Sequence, residues 1–200
     1  MKLYYVPKTR ATRPRWLLEE LGVPFELVRL DPAKGETRTA AHLLRHPLGH
    51  VPALEDGEVR IFESAAICLY LADKYPEKKL VPPLGSLPRA LCYQWIFFAV
   101  TELEPPLSAV AMQMRKPEAE RDAAIVAQEK ERFGKAAAAL EPVFAKKLFL
   151  LGTDLSVADV IAGTILLRSK SLGILPDLPA VDAYLARLEE RPARQRANAD

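Results

Sequence analysis

The chain has 200 residues, enough for one large domain or two small ones. Half of the residues are hydrophobic and 27% are charged, so the chain can bury a packed core and extensive disorder is excluded. A net charge of +2 gives no reason to expect nucleic acid as a partner. No apolar run reaches the roughly eighteen residues of a membrane span, and the N-terminus lacks the apolar core of a signal peptide. These features predict a soluble, cytoplasmic protein that does not enter a membrane.

The first thirty residues predict a β-α-β unit. Residues 2–6, "KLYYV", are typical of a strand, and residues 25–30, "FELVRL", of a second one. Between them Pro14 suits the first position of a helix that ends at Gly22. A right-handed crossover would make the two strands parallel neighbours.

The next segment predicts a short helix, a hairpin and a further helix. Residues 39–46, "TAAHLLRH", have weak helical character. Asp56-Gly57 between two β-like runs predicts a hairpin. Ser64 offers a cap for a helix that Pro76 ends. The element order is therefore β-α-β-α-β-β-α.

Four prolines between residues 76 and 88 indicate a linker, and the chain beyond it predicts helices without strands. The capping box "SVAD" places Asp159 at the start of a core helix, where its carboxylate has a folding role. The basic run Arg191–Arg196 predicts a solvated, frayed end. The predicted helices cover residues 89–103, about 118–147, 156–171 and 179–190, with Pro105-Pro106 ending the first. We expect an α/β domain at 1–77, a linker at 78–88 and an all-helical domain at 89–200.

Cys68 and Cys92 are the chain's two cysteines, and they lie far apart in apolar segments. Their spacing matches neither a metal site nor a C-x-x-C motif, so we expect buried, inert thiols.

Three motifs carry a family resemblance. "HPLGHVPALEDG", "FESAAICLYLADKYP" and "LSVADV", in this element order, resemble a glutathione S-transferase over about residues 2–192. The resemblance implies a thioredoxin-like N-terminal domain, an all-helical C-terminal domain and a cytoplasmic homodimer. In that homodimer one subunit's α/β half would pack against the other's helical half. It implies a detoxifying enzyme that activates the thiol of glutathione, its co-substrate, for attack on a small hydrophobic electrophile, without metal or nucleotide.

The resemblance also implies a glutathione site. Proline cannot donate to a strand ladder, and the family has the bond before Pro52 cis, which directs the Val51 backbone at the cysteinyl group. The helix start attracts an anion, so Ser64 would hold the γ-glutamyl carboxylate, with Glu63 near the α-amino group. The alternative is a plain capping serine. His50 stands where relatives carry lysine or glutamine for the glycyl carboxylate, although it could equally be a surface residue.

Three residues compete to activate the thiol. Thr9 and Thr12 have the C-x-x-C spacing of disulfide-exchanging relatives, but a hydroxyl cannot form a disulfide, so a dithiol mechanism is excluded here. A hydroxyl can instead donate a hydrogen bond to a sulfur, or it can simply cap the helix that begins near Pro14. Thr9 matches the family's catalytic serine and ranks first; Tyr5 matches the tyrosine of other classes and ranks second. Arg10 lies where one bacterial class of the family carries a cysteine, and it ranks third, as a positive charge that would stabilise the thiolate. Thr12 is expected to cap the following helix.

Two further predictions concern the surroundings of the thiol. Lys8, Arg10, Arg13 and Arg15 make the loop electropositive, which favours an anionic tripeptide, although Arg13 and Arg15 could be solvated helix residues. An apolar pocket for the electrophile would use three residues of the helical half, Trp95, Phe98 and Met112; such a stripe is also typical of simple core.

Two alternatives stay open. One is another glutathione-dependent enzyme on the same scaffold, such as an isomerase, a dehalogenase or a disulfide reductase. The other is a non-catalytic interaction protein, against which the intact "VPAL" and "ES" motifs argue.

Overall fold

The computed structural model describes residues 1–199, which form two compact units. The N-terminal unit comprises Met1–Val81 together with the chain from Glu190 onward. The helical unit comprises Pro82–Glu189. The final residues thus belong to the N-terminal unit, whereas the sequence placed them with the helices.

The N-terminal unit contains a mixed four-stranded sheet in the order β2-β1-β3-β4. β1 and β2 are parallel, whereas β3 is antiparallel to both β1 and β4, as the predicted crossover and hairpin require. This arrangement confirms the predicted thioredoxin-like element order. The elements are β1 (Lys2–Tyr5), α1 (Thr12–Leu21), β2 (Glu26–Arg29), α2 (Ala40–Leu43), β3 (Ala53–Asp56), β4 (Val59–Phe62) and α3 (Ser64–Lys74).

Helix α1 begins two residues earlier than Pro14 predicts. The Thr12 N–H donates to the Thr9 carbonyl, so the loop already winds into a turn before the proline. Pro14 remains in the first helical turn, where backbone N–H groups have no helical partner to lose. Gly22 ends the helix with φ 66°, as predicted.

The helical unit contains six α-helices among its described residues, and a π-helical turn, Ala99–Leu103, joins the first two. Pro105 and Pro106 occupy the first turn of a helix that the sequence did not predict, because prolines are tolerated there. The predicted helix at 118–147 is instead divided into α6 and α7. The helices are α4 (Leu87–Phe98), α5 (Glu104–Met114), α6 (Ala123–Ala138), α7 (Glu141–Phe144), α8 (Val157–Ser171) and α9 (Pro179–Glu189).

The core of the helical unit is organised around α8, whose capping box is confirmed. The fully buried Asp159 carboxylate accepts from the Ser156 N–H at 2.9 Å and the Leu150 N–H at 2.8 Å. The Tyr184 hydroxyl donates to it at 3.2 Å. The sequence anticipated the backbone contacts but not the tyrosine.

The prediction of a frayed C-terminus is wrong. Helix α10 (Pro192–Ala197) packs on α1. Two nitrogens of Arg191 bond both carboxylate oxygens of Glu20, at 2.6 and 2.8 Å. Arg196 pairs with Glu19 at 2.6 Å. The basic run therefore complements an acidic pair that lies far away in sequence.

Cys68 and Cys92 are buried free thiols, as predicted. Burial raises the pKa of Cys68 to about 12, so its thiol is unreactive. Within residues 1–199, no helix is long and apolar enough to cross a membrane. The same residues contain no group of three or more His, Cys, Asp or Glu side chains placed to hold a metal ion.

Candidate active site

The backbone of the loop before β3 is fixed by a cis peptide, a hydrogen bond and a close backbone approach. The Val51–Pro52 peptide is cis, as the resemblance implied. The buried His42 ring donates from Nε2 to the His50 carbonyl at 2.8 Å, since a carbonyl oxygen only accepts. Gly49 has φ 60°, and a Cβ there would lie 2.4 Å from the Thr37 carbonyl oxygen. The chain is therefore closely anchored on both sides of His50.

His50 is exposed, and the buried His46 lies beside it with ring centroids 5.3 Å apart. The Leu48 N–H donates to His46 Nδ1 at 3.3 Å, so the ring is neutral with its hydrogen on Nε2. Burial, and next the neighbouring His50, lower the pKa of His46. His42 and His46 were not among the predicted site residues, although their four-residue spacing with each other and with His50 is visible in the sequence.

Ser64 is the first residue of α3, and Glu63 occupies the cap position that was predicted for the serine. Glu63 has φ 69° and ψ 114°, a conformation that non-glycine residues adopt only when their surroundings hold them in it. Its side chain is exposed at the positive end of the helix. The start of α3 thus combines a buried hydroxyl with an exposed carboxylate.

Arg13 and Arg15 are buried, so the alternative of solvated arginines is wrong for both. Arg13 is 3% exposed, and its Nη1 donates to Ser64 Oγ at 3.0 Å. Arg15 is 9% exposed, donates to the Arg196 carbonyl and lies 5.4 Å from the Tyr5 ring centroid. Packing of α1 against α3 and α10 buries the two side chains.

The loop after β1 holds the candidates for thiol activation. The Thr9 hydroxyl donates to the Val6 carbonyl at 2.7 Å and accepts from the Ala11 N–H at 3.3 Å. Thr12 lies inside α1, after the cap residue Ala11, so its predicted capping role is wrong and Thr9 organises the turn. The other candidates differ in exposure: Tyr5 is buried and Arg10 is exposed.

The predicted pocket residues lie in the helical unit. Trp95 and Phe98 on α4 are half-buried and meet edge to face, with ring centroids 5.6 Å apart. Met112 on α5 is 65% exposed. The first two residues form a pair, and the methionine has a largely free surface.

Comparisons with known proteins agree with this architecture. The family pattern "Glutathione S-transferase, N-terminal domain" matches residues 1–73, and "Glutathione S-transferase, C-terminal domain" matches residues 103–192. A probable glutathione S-transferase GSTF2 of Oryza sativa subsp. japonica is 34% identical over 98% of this chain and 94% of the relative. Glutathione S-transferase 1 of Zea mays is 32% identical over 100% and 96%.

Solved structures are similar over the whole chain. The ternary complex of BphK, a bacterial transferase, has a TM-score of 0.88 and 31% identity, covering 100% of this chain and 98% of that one. A sphingomonad glutathione S-transferase complexed with glutathione has a TM-score of 0.84 and 30% identity, with the same coverage.

A thioredoxin-like sheet with a cis-proline before β3, combined with a helical unit, defines a glutathione-transferase fold. The chain belongs to the glutathione S-transferase family. Its function is accordingly that of a glutathione S-transferase, an enzyme of the transferase class.

Proposed function

We propose that the N-terminal unit binds glutathione along β3 and the start of α3, and that the enzyme transfers it to a small hydrophobic electrophile. The observation that carries this proposal is the buried Ser64 hydroxyl at the N-terminus of α3. Unpaired N–H groups and the positive end of the helix dipole favour a carboxylate there. The γ-glutamyl carboxylate fills this position, with Glu63 near the α-amino group.

The cysteinyl and glycyl parts continue along the loop before β3. The strand ladder of β3 begins at Ala53, so the Val51 backbone lies just outside it. Val51 can pair with the cysteinyl backbone as an added strand would. The exposed His50 ring then faces the glycyl carboxylate, and His42 positions this segment through the His50 carbonyl.

The Thr9 hydroxyl is proposed to activate the thiol. A thiol of pKa about 8.5 is only a few per cent ionised at neutral pH, and a two-unit decrease needs about 2.7 kcal/mol. A hydrogen bond to a charged acceptor contributes about 1.5–3 kcal/mol, but Thr9 must release the Val6 carbonyl, which costs about 1 kcal/mol. The α1 dipole and Arg10 are proposed to supply the remainder, and Tyr5 is the second candidate.

We also propose a cytoplasmic homodimer with a role in detoxification. Large apolar side chains remain exposed in both units, including Leu44 at 76%, Leu48 at 62% and Phe97 at 60%. Exposed apolar surface of this kind suits a two-fold interface. Light scattering at micromolar concentration should give twice the chain mass; a monomeric mass would end this part of the proposal.

Trp95, Phe98 and Met112 are proposed to contact the electrophile.

Calorimetric titration tests the proposed glutathione site. Ser64→Ala should weaken glutathione binding by about 1–3 kcal/mol, as expected when a hydrogen bond to a charged group is lost. Ser86 is a matched control, because this serine caps α4 in the helical unit through the Arg89 N–H. Ser86→Ala should lower stability and leave affinity unchanged. Unchanged affinity in Ser64→Ala would remove the start of α3 from the site.

A further inference from the structure

The Arg13–Ser64 hydrogen bond joins two helix N-termini inside the N-terminal unit. Arg13 is the second residue of α1, Ser64 is the first of α3, and their bond of 3.0 Å is buried. A guanidinium group carries only donors, so the serine oxygen must be the acceptor. The hydroxyl hydrogen of Ser64 therefore remains available for donation to another group.

Serines at helix starts usually use their oxygen differently. They accept a backbone N–H of the first turn, which stabilises the helix. Here the cap position belongs to Glu63 and makes no side-chain capping bond, while the Ser64 oxygen accepts from Arg13. The hydroxyl is thus oriented by a charged donor on another helix.

The charge of Arg13 also acts on the start of α3. Burial raises the pKa of Cys68, one turn into α3, and the positive charge of Arg13 opposes that increase. Arg13 is 3% exposed as a whole residue, so water screens the field of its charge weakly. The same field favours the orientation of Ser64 in which the oxygen faces Arg13 and the hydroxyl hydrogen faces away from it.

We propose that Arg13 is a positioning residue that fixes the Ser64 hydroxyl as a hydrogen-bond donor to the α-carboxylate of the γ-glutamyl group. This inference rests on the proposed function, because it assigns that carboxylate to the start of α3. Arg13 acts through Ser64 and selects ligands that carry a carboxylate at this point.

Two tripeptides separate this role from a structural one. Glutathione carries the α-carboxylate, and 4-aminobutyryl-Cys-Gly lacks only that group. In Arg13→Met the dissociation constant for glutathione should rise about tenfold, while that for 4-aminobutyryl-Cys-Gly should change less than twofold. Arg13→Lys keeps the charge and one donor direction, so it should restore part of the discrimination. If Arg13→Met does not fold, as judged by near-ultraviolet circular dichroism, Arg13→Gln serves in its place.

Arg15→Met is the matched control. It removes a buried guanidinium from the same helix, but one that bonds the Arg196 carbonyl. The dissociation constant for 4-aminobutyryl-Cys-Gly divided by that for glutathione should equal the wild-type ratio within twofold. If positive potential in general favoured the carboxylate, this ratio would fall in both Arg13→Met and Arg15→Met, and the proposal would be overturned.

A double-mutant cycle completes the test. If Arg13 acts through Ser64, Arg13→Met should have less than a twofold effect on glutathione binding in a Ser64→Ala background. If the effects of Arg13→Met and Ser64→Ala on the dissociation constant simply multiply, Arg13 only supports the fold. The same conclusion would follow if Arg13→Met weakened the binding of both tripeptides equally. A wild type that fails to bind glutathione at millimolar concentration would instead refute the proposed function itself.

Discussion

Replacing Thr9 by valine tests the proposed thiol activation, since valine keeps the shape of threonine and removes the hydroxyl. The bound thiol should lose its donor, so its pKa should rise by one to two units, equivalent to about 1.4–2.7 kcal/mol. Turnover near neutral pH should then fall about ten- to a hundred-fold and recover partly at alkaline pH, where the thiolate forms unaided. Glutathione affinity should change little, because the sulfur is the only atom of glutathione that the hydroxyl is proposed to contact.

The structure also predicts that Thr9→Val lowers the stability of the protein. Thr9 also holds the Val6 carbonyl and the Ala11 N–H, so the valine variant should lose about 1–2 kcal/mol of unfolding free energy. Chemical denaturation measures this loss, and Thr9→Ser is the control that retains both contacts and the donor. The pKa of the bound thiol is read from the ultraviolet absorbance of the thiolate across a pH series.

Tyr5→Phe supplies the refuting outcome. It should have little effect if Thr9 donates to the sulfur. If Thr9→Val left turnover unchanged and Tyr5→Phe lowered it strongly, the tyrosine would be the residue that activates the thiol. If neither substitution changed turnover, Arg10 or a backbone N–H would become the leading candidate.

Two further predictions concern buried polar groups. Burial lowers the pKa of His46, so the unfolded chain binds more protons below about pH 6.5, and unfolding free energy should decrease on acidification through that range. Urea titrations at several pH values measure it; His46→Asn should reduce the slope, and an unchanged slope would refute the argument. Asp159→Ala leaves buried donors, including the Tyr184 hydroxyl, without their acceptor, which should cost about 3–5 kcal/mol of unfolding free energy. A loss below about 1 kcal/mol by chemical denaturation would contradict that assignment, and glutathione affinity of the folded fraction should be unchanged.

Local sequence signals predicted the elements that depend on neighbouring residues. Gly22 ends α1 because its left-handed conformation is easy for glycine, and Asp56-Gly57 turns the β3–β4 hairpin. The Ser156 and Asp159 capping box works within one helical turn. Each signal involves groups a few residues apart, so the sequence carries the necessary geometry.

Where a local signal was ambiguous, packing decided the outcome. Pro105-Pro106 can end one helix or begin another, and the structure uses it to begin α5. The threonines of the first loop were equally ambiguous. Thr9 organises the turn because its hydroxyl reaches the Val6 carbonyl, whereas Thr12 falls inside the helix.

The family, the cis-proline before β3 and the residues around which a glutathione site is proposed could all be predicted from the sequence, because they belong to short contiguous motifs. The burial of the charged side chains and the choice of their partners could not, because these depend on contacts between distant segments. The buried Arg13 bonds Ser64 across 51 residues, and the half-buried Arg191 bonds Glu20 across 171. A basic residue in isolation favours water, and it becomes buried only when folding brings an acceptor from a distant segment into hydrogen-bonding distance.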